Sequence, residues 1–252
     1  MKTGGIPQEK ESPTVLDAIY TSPALGPKDK TLKRLVAEVV AVIGAGTETT
    51  GNTLATFTFH VLSNIDVLKK LKADLTLAAR DDGKGAYDML ALKTLEKLPY
   101  LQASIKEALR LGSSVSGRLP RVNRSNAMTY IHPSGVEYVL PPNTVISTSM
   151  RDLHLNPDIF PAPRRFSPER WLKSGPEELK RMEKAFVPFG RGSRVCLGLE
   201  LAKDEITLLT GNLFHRFDLE LYKTTEWDIN IQHDFFAPFG PRDSKGVRVI
   251  AK

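Results

Sequence analysis

The sequence predicts a mainly α-helical fold with a minor β-sheet, on three observations. Apolar residues recur at helical spacing over an unusually long stretch beginning near residue 29. Two further stretches, before residue 112, carry the same period. Beyond Gly112 the texture changes to short runs rich in β-branched and aromatic residues, separated by Pro and Gly.

In chain order, residues 1–28 are rich in Pro, Gly, Ser and Lys and are expected to form a loop or disordered start. Residues 29–252 then form the folded part. Leu32, Leu35, Val36, Val39, Val40 and Ile43 mark one helical face, which continues through Leu54, Phe57, Phe59 and Leu62. This predicts a helix from Asp29 to Ser63 running through the middle of the fold. Gly44, Gly46 and Gly51 weaken it by about 1 kcal/mol each relative to Ala, so something is expected to approach its backbone closely there. A second helix is predicted over Ile65–Arg80, with Val67, Leu68, Leu71, Leu75 and Ala78 inward, followed by a Gly-rich turn over Asp81–Ala86. A third runs from Tyr100 to Leu111 on Leu101, Ile105, Ala108 and Leu109. Strands are predicted at Met128–Ile131, Glu137–Leu140 and Thr144–Ser147. Pro157, Pro161, Pro163 and Pro168 make Arg151–Trp171 a meander rather than a helix. A last helix over Leu199–Phe217 and strands near Leu219–Tyr222 and Gly246–Ile250 complete the reading.

Composition excludes several classes. Hydrophobic residues make up 41% and charged residues 25% of 252, which suits a packed core and argues against wholesale disorder. The net charge of +6 comes from Lys and Arg scattered along the chain, not gathered into a stripe with aromatics, so a nucleic-acid partner is not expected. The one cysteine rules out an internal disulfide. The opening MKTGGIPQEKESPT has no apolar run of a signal peptide, and the longest apolar stretch, Val36–Ala45, is broken by Glu38. That stretch is far short of the roughly 20 residues of a membrane span, so no membrane segment is expected in this chain.

The strongest signal is the stretch Phe189-Gly190-Arg191-Gly192-Ser193-Arg194-Val195-Cys196-Leu197-Gly198. Two glycines before the cysteine permit a tight turn with positive φ, and Gly198 permits close packing of the helix that follows. The cysteine then precedes a helix N-terminus, whose free amides favour a thiolate, and Arg194 offers a cation suited to a carboxylate. A lone cysteine is more commonly a buried core residue. The pattern resembles the haem-binding signature of the cytochrome P-450 family, with Phe189, Gly192, Arg194, Cys196 and Gly198 at its five fixed positions. A chance match is on the order of one in ten thousand or below. The resemblance implies the C-terminal, haem-binding half of that fold, with Cys196 as the thiolate ligand of the iron, Phe189 near the sulfur and Arg194 on a haem propionate.

Two more constellations match the family in order. Glu107 and Arg110 stand at i and i+3 on the third helix, where alone they would be a surface pair worth about 0.2–0.5 kcal/mol. With Arg170 in Phe166-Ser167-Pro168-Glu169-Arg170-Trp171, the resemblance implies a buried ion network that fixes the meander under the cysteine loop. Ala45-Gly46-Thr47-Glu48-Thr49-Thr50 resembles the family's oxygen-activation segment. By that resemblance Gly46 lets haem approach, Thr49 serves the oxygen molecule and its water, with its hydroxyl bonded back toward the Ala45 carbonyl, and Glu48 delivers protons. Arg121 fits the second propionate-binding position, across a one-residue insertion.

The resemblance covers the chain from Asp29 onward and looks most like fungal secondary-metabolism members. It implies a monooxygenase that inserts one atom of O2 into a small apolar substrate, with haem as cofactor and NADPH acting through a reductase as partner. Ser113–Leu119 and Phe235–Phe239 would face the pocket. Nothing here corresponds to the family's N-terminal half, which in eukaryotic members carries the anchor to the endoplasmic reticulum. The faces of the long helix are therefore expected to be partly unpacked. The alternative is a truncated, non-catalytic remnant that keeps the signature without completing the pocket.

Overall fold

The computed structural model describes residues 13–252, and the chain divides into two compact units, residues 1–47 and 48–252. In the first unit, α1 (Val15–Thr21) opens on a capping box in which Thr14 Oγ1 accepts from the Asp17 amide and the Asp17 carboxylate accepts from the Thr14 amide. This corrects the loop expected over residues 1–28: the Thr-x-x-Asp signature outweighs the Pro- and Ser-rich composition. Residues 1–12 of that expected loop lie outside the described residues. A 3₁₀ turn at Pro27–Lys30 leads to α2 (Leu32–Leu62), which begins in the first unit and ends in the second. The helix starts after Asp29 because Thr31 is extended.

The apolar stripe at the start of α2 is helical but exposed at Leu32, Val36, Val40 and Ile43, and its first buried residue is Thr50. The unpacked face was expected; the prediction that this helix runs through the middle of the fold fails over Leu32–Thr49, where no residue is buried. A Cβ built at Gly44, Gly46 or Gly51 would meet nothing within 4 Å, so the close approach expected at these glycines is not made by polypeptide.

The central helix of the second unit is α5. Asn64 caps α3 (Ile65–Asp81) by accepting from the amides of Asp66 and Val67, and α4 (Leu92–Leu95) precedes α5 (Pro99–Gly112), which has Pro99 in its first turn. Most of the 14 residues of α5 are buried, on all sides. One side joins Phe57 and Val61 of α2, Leu71 and Leu75 of α3 and Leu95 of α4 in the main core. The other contributes Ala103 to a second core with Phe160, Trp171, Met182 and Ala185.

Among the described residues the strands form four separate antiparallel pairs and no single sheet. β1 (Arg121–Val122) was not anticipated; it pairs with β4 (Val145–Ile146), which is shorter than the predicted Thr144–Ser147. β2 (Met128–Ile131) and β3 (Glu137–Leu140) form the expected hairpin, with Tyr130 opposite Tyr138.

Two short helices, α6 (Met150–His154) and α7 (Glu169–Lys173), interrupt the predicted meander. Each starts from a capping signal, the Ser149 hydroxyl for α6 and the fixed φ of Pro168 for α7. α8 (Pro176–Ala185) follows with Pro at its first position and Glu177 and Glu178 in its first turn. After the cysteine loop comes α9 (Leu199–Arg216). β5 (Leu219–Leu221), α10 (Glu226–Ile229), β6 (His233–Phe235), β7 (Ala237–Phe239) and β8 (Val249–Ala251) end the chain, with β5 paired to β8 and β6 to β7. Among the described residues no helix is long and apolar enough to cross a membrane.

α9 is held against the main core by Phe214, edge-on to Phe57 at 5.5 Å, and by buried Asn212, which accepts from the Leu90 amide and donates to the Leu90 carbonyl. Gly211 packs closely: a Cβ there would stand 2.6 Å from Leu95 Cδ2, and Leu95, fully buried in the main core, would have to shift. Alanine gains about 1 kcal/mol of helix propensity over glycine, while overpacking a filled core costs about 1–3 kcal/mol. The clash should win, so Gly211→Ala is expected to lower the unfolding free energy in urea by about 1–2 kcal/mol. Gly51→Ala, where the Cβ meets nothing, should raise it by up to about 1 kcal/mol; a stabilised Gly211→Ala would contradict the packing described.

Candidate functional site

The site grows out of one ion pair on α5. Glu107 and Arg110 are both fully buried and meet twice, Arg110 Nε to Glu107 Oε1 and Nη2 to Oε2, each at 2.8 Å. Such a pair would cost stability unless every remaining polar atom found a partner. Here the carboxylate also accepts from Trp171 Nε1 at 3.0 Å and from the Ser167 amide at 2.9 Å, and Arg170 Nε lies 3.2 Å from Oε1. The guanidinium of Arg110 spends its other protons on the carbonyls of His154, Pro163 and Arg165. Arg170 donates to the carbonyls of Pro161 and Ala162. The expected network of Glu107, Arg110 and Arg170 is therefore present. It reaches the meander mainly through backbone carbonyls, which a motif of side chains cannot reveal.

The cysteine loop hangs from the same region. Gly190 and Gly192 adopt φ of +72° and +77°, the positive values expected of a tight turn before the cysteine. The Gly190 amide donates to the Val187 carbonyl, and residues 192–194 form a 3₁₀ turn. The Cys196 amide donates to the Phe189 carbonyl at 2.9 Å, which closes the loop. Phe189 is partly buried against the main core and ties the loop down. Cys196 itself is exposed, so the buried-core alternative for a lone cysteine does not hold. Its neighbours Val195 and Leu197 are apolar yet exposed, Leu197 at 99%. Leaving such side chains in water forgoes about 25 cal/mol per Å² of apolar area, so the thiol stands in an apolar setting suited to a large flat apolar group. A single sulfur suits a metal that brings its other ligands with it. Among the described residues no three His, Cys, Asp or Glu could hold a metal ion. These observations fit haem.

Arg194 is exposed in the 3₁₀ turn, and Gly198 precedes α9 with nothing within 4 Å of its would-be Cβ. Arg121 lies on β1 and donates to the Pro120 carbonyl. It shares with Arg191, Ser147, Thr148 and Gly190 a cavity of about 360 Å³ beside the loop. Residues 186–190 also line, with Leu199 and Lys203, a second cavity of about 270 Å³.

On α2, Glu48 is exposed and Thr49 half-buried. Thr53 donates its hydroxyl to the Thr49 carbonyl at 3.0 Å and pairs with Ser114 Oγ at 2.9 Å, while Asn52 donates to the Gly112 carbonyl at 2.8 Å. These contacts tie the Thr49 segment to the end of α5. Sequence reasoning missed Asn52 and Thr53, although any Thr inside a helix can bond back to the carbonyl four residues earlier. The two segments expected to face a pocket do meet: the Ser116 amide donates to the Phe236 carbonyl, and its hydroxyl donates to Asp234. Phe235 and Phe236 are exposed beside them, Phe236 with φ of +76°.

A mainly helical body with a cysteine loop of this pattern defines the class of haem-thiolate proteins. The chain belongs to the cytochrome P-450 family, whose model, Cytochrome P-450, matches residues 7–243. It is 41% identical over 239 residues to the cytochrome P-450 monooxygenase sdnE of Sordaria araneosa, covering 94% of this chain and 44% of that protein. It is 40% identical to the N-acetyltryptophan 6-hydroxylase ivoC of Emericella nidulans over the same shares, and 40% identical to the tryptophan 6-hydroxylase fscE of Fusarium equiseti. A crystal structure of a cytochrome P-450 superposes with a TM-score of 0.74 at 22% identity, covering 98% of this chain and 52% of that one, which shows the shared fold. The chain thus spans less than half the length of the three monooxygenases and hydroxylases and about half of the crystallised one.

The Glu107 carboxylate depends on Trp171 for one of its donors. Trp171→Phe keeps a ring in the second core but removes that hydrogen bond, and a bond to a buried charge is worth about 1.5–3 kcal/mol. Urea unfolding should show at least that loss; a change below about 0.5 kcal/mol would mean the carboxylate is not held as described.

Proposed function

We propose that residues 29–252 supply the haem-binding part of a haem-thiolate monooxygenase that inserts one atom of O2 into a small apolar molecule in fungal secondary metabolism. The observation that carries this reading is the exposed Cys196 thiol, presented by a loop with two positive-φ glycines and set between exposed apolar side chains. Cys196 would ligate the iron. Phe189, Gly192 and Gly198 would shape the loop around it, and Arg194 and Arg121 would pair with the two propionates.

When bound, haem supplies the activation of O2, with electrons drawn from NADPH through a reductase. The balance is one oxygen atom into a C–H bond and the other into water, with two electrons and two protons consumed. Delivering those protons falls to this chain. Glu48 would bring them from solvent, since it is exposed, and the Thr49 hydroxyl would hold a water that passes them on. The contacts of Asn52 and Thr53 fix where the Thr49 segment lies. Ser113–Leu119 and Phe235–Phe239, joined through Ser116, would line the substrate side with mostly small or apolar surface. Two relatives named for hydroxylating tryptophan or its N-acetyl derivative support an aromatic ring as the acceptor class.

The test is the reduced carbon-monoxide complex of the haem-loaded chain. Thiolate ligation gives a red-shifted Soret band; the parent should show it, and Cys196→Ser should lose it while keeping its circular dichroism. An unshifted band in the parent would remove the proposal.

A further inference from the structure

His154 belongs to none of the motifs above, yet it joins two of them. It is the last residue of α6 and is buried, 1% exposed. Its carbonyl accepts from Arg110 Nη1 at 2.9 Å, so it is one of the groups that complete the Glu107–Arg110 pair. Its ring Nε2 accepts from the Val187 amide at 3.0 Å. Val187 stands at the entrance of the cysteine loop: its carbonyl takes the Gly190 amide, and the Phe189 carbonyl takes the Cys196 amide. A continuous path of hydrogen bonds and short backbone steps thus runs from the buried ion pair to the amide of the cysteine, and the His154 ring is the joint that passes it to the loop.

The ring is held in one orientation. Phe186 lies 5.6 Å away at 30° and Phe160 lies 6.3 Å away at 85°. An accepting Nε2 carries no proton, so the neutral ring must be the Nδ1–H tautomer. A protonated ring would set its own N–H against the Val187 amide. Burial pushes the pKa down to about 4, with the Arg110 charge acting in the same direction against a smaller opposing pull from Glu107, and the neutral acceptor form is kept. Nδ1, meanwhile, has no hydrogen-bond partner among the described residues. Burying an unpaired N–H costs stability, and an apolar ring could fill this space without that cost. The one thing an apolar ring could not do is hold the Val187 amide.

We infer that His154 is a positioning residue, coupling the Glu107–Arg110 pair to the cysteine loop and setting where the loop presents Cys196. Its bearing on catalysis rests on the proposed role of Cys196 as iron ligand; its hold on the loop does not.

The test compares His154→Phe, which keeps the ring stack and removes the acceptor, with His154→Gln, whose side-chain oxygen reaches the place of Nε2. Hydrogen exchange is read on the purified chain without added haem. In His154→Phe the Val187 amide should exchange on the order of tenfold faster, and the Cys196 amide should accelerate with it, while core amides of α3 and α9 stay at parental rates. His154→Gln should restore both. With haem added, the red-shifted carbon-monoxide band should fall in His154→Phe and recover in His154→Gln. In the parent, nitrogen NMR of the ring should show the proton on Nδ1, a reading that holds even where His154→Phe fails to fold. The expected exchange pattern in a parent lacking the thiolate band would support the coupling and remove the ligation reading. A proton on Nε2 in the parent, parental exchange at Val187 in a folded His154→Phe, or no rescue by His154→Gln would overturn the inference.

Discussion

The structure of the second unit depends on the requirement that a buried ion pair leave no polar atom unmet. Glu107 and Arg110 bind each other on one turn of α5, but two charges out of water are stable only when fully surrounded by complementary groups. α5 cannot supply those groups from its own residues. They come from Trp171 and Ser167 on one side and from the carbonyls of His154, Pro163 and Arg165 on the other. A Pro-rich segment with little regular structure is thereby fixed at several points at once. Its geometry is set by electrostatic satisfaction, where a helix or strand would have set it by a repeating backbone pattern.

The consequence for the site is a division of labour. The loop carrying Cys196 has almost no burial of its own: the residues from 191 to 198 are exposed, and two of its glycines sit in left-handed conformations. Such a segment would wander if it were held only by its own contacts. It is held at its entrance by His154 and Phe189, and at its exit by the start of α9, whose far end is clamped by Asn212 and Phe214. The loop can therefore expose both a thiol and apolar neighbours, because its position is fixed from behind. The same holds on α2, where Asn52 and Thr53 tie the Thr49 segment to the end of α5.

How much of this was legible in the residues varied with the kind of interaction. Periodicity placed α3, α5 and α9 within a residue or two, because each buries a stripe of apolar side chains that the period reports directly. The cysteine loop was legible because positive φ selects glycine, and Gly190 and Gly192 adopt it. Depth of burial was not: α2 has the stronger apolar stripe over Leu32–Ile43, but that stripe is exposed, and α5, with a Glu and an Arg inside it, is the central helix of the second unit. α8 was overlooked although Pro176, Glu177 and Glu178 spell a helix start, since its polar surface carries little apolar signal. His154 was invisible because its partners are backbone groups, and a backbone amide or carbonyl leaves no trace in residue identity. The pairing of the C-terminal strands was equally hidden, being decided by which distant segment comes alongside.

The most direct measurement is a double-mutant cycle on the ion pair, with Glu107→Gln, Arg110→Met and the two combined, each read by urea unfolding. Each single change strands the partner in a dry interior and should cost about 3–5 kcal/mol. The combined change removes both charges and should cost clearly less than the sum, giving a coupling of about 2 kcal/mol or more. Additive losses, or single losses below about 1 kcal/mol, would mean that the pair is solvated in solution and does not organise the segment beneath the cysteine loop.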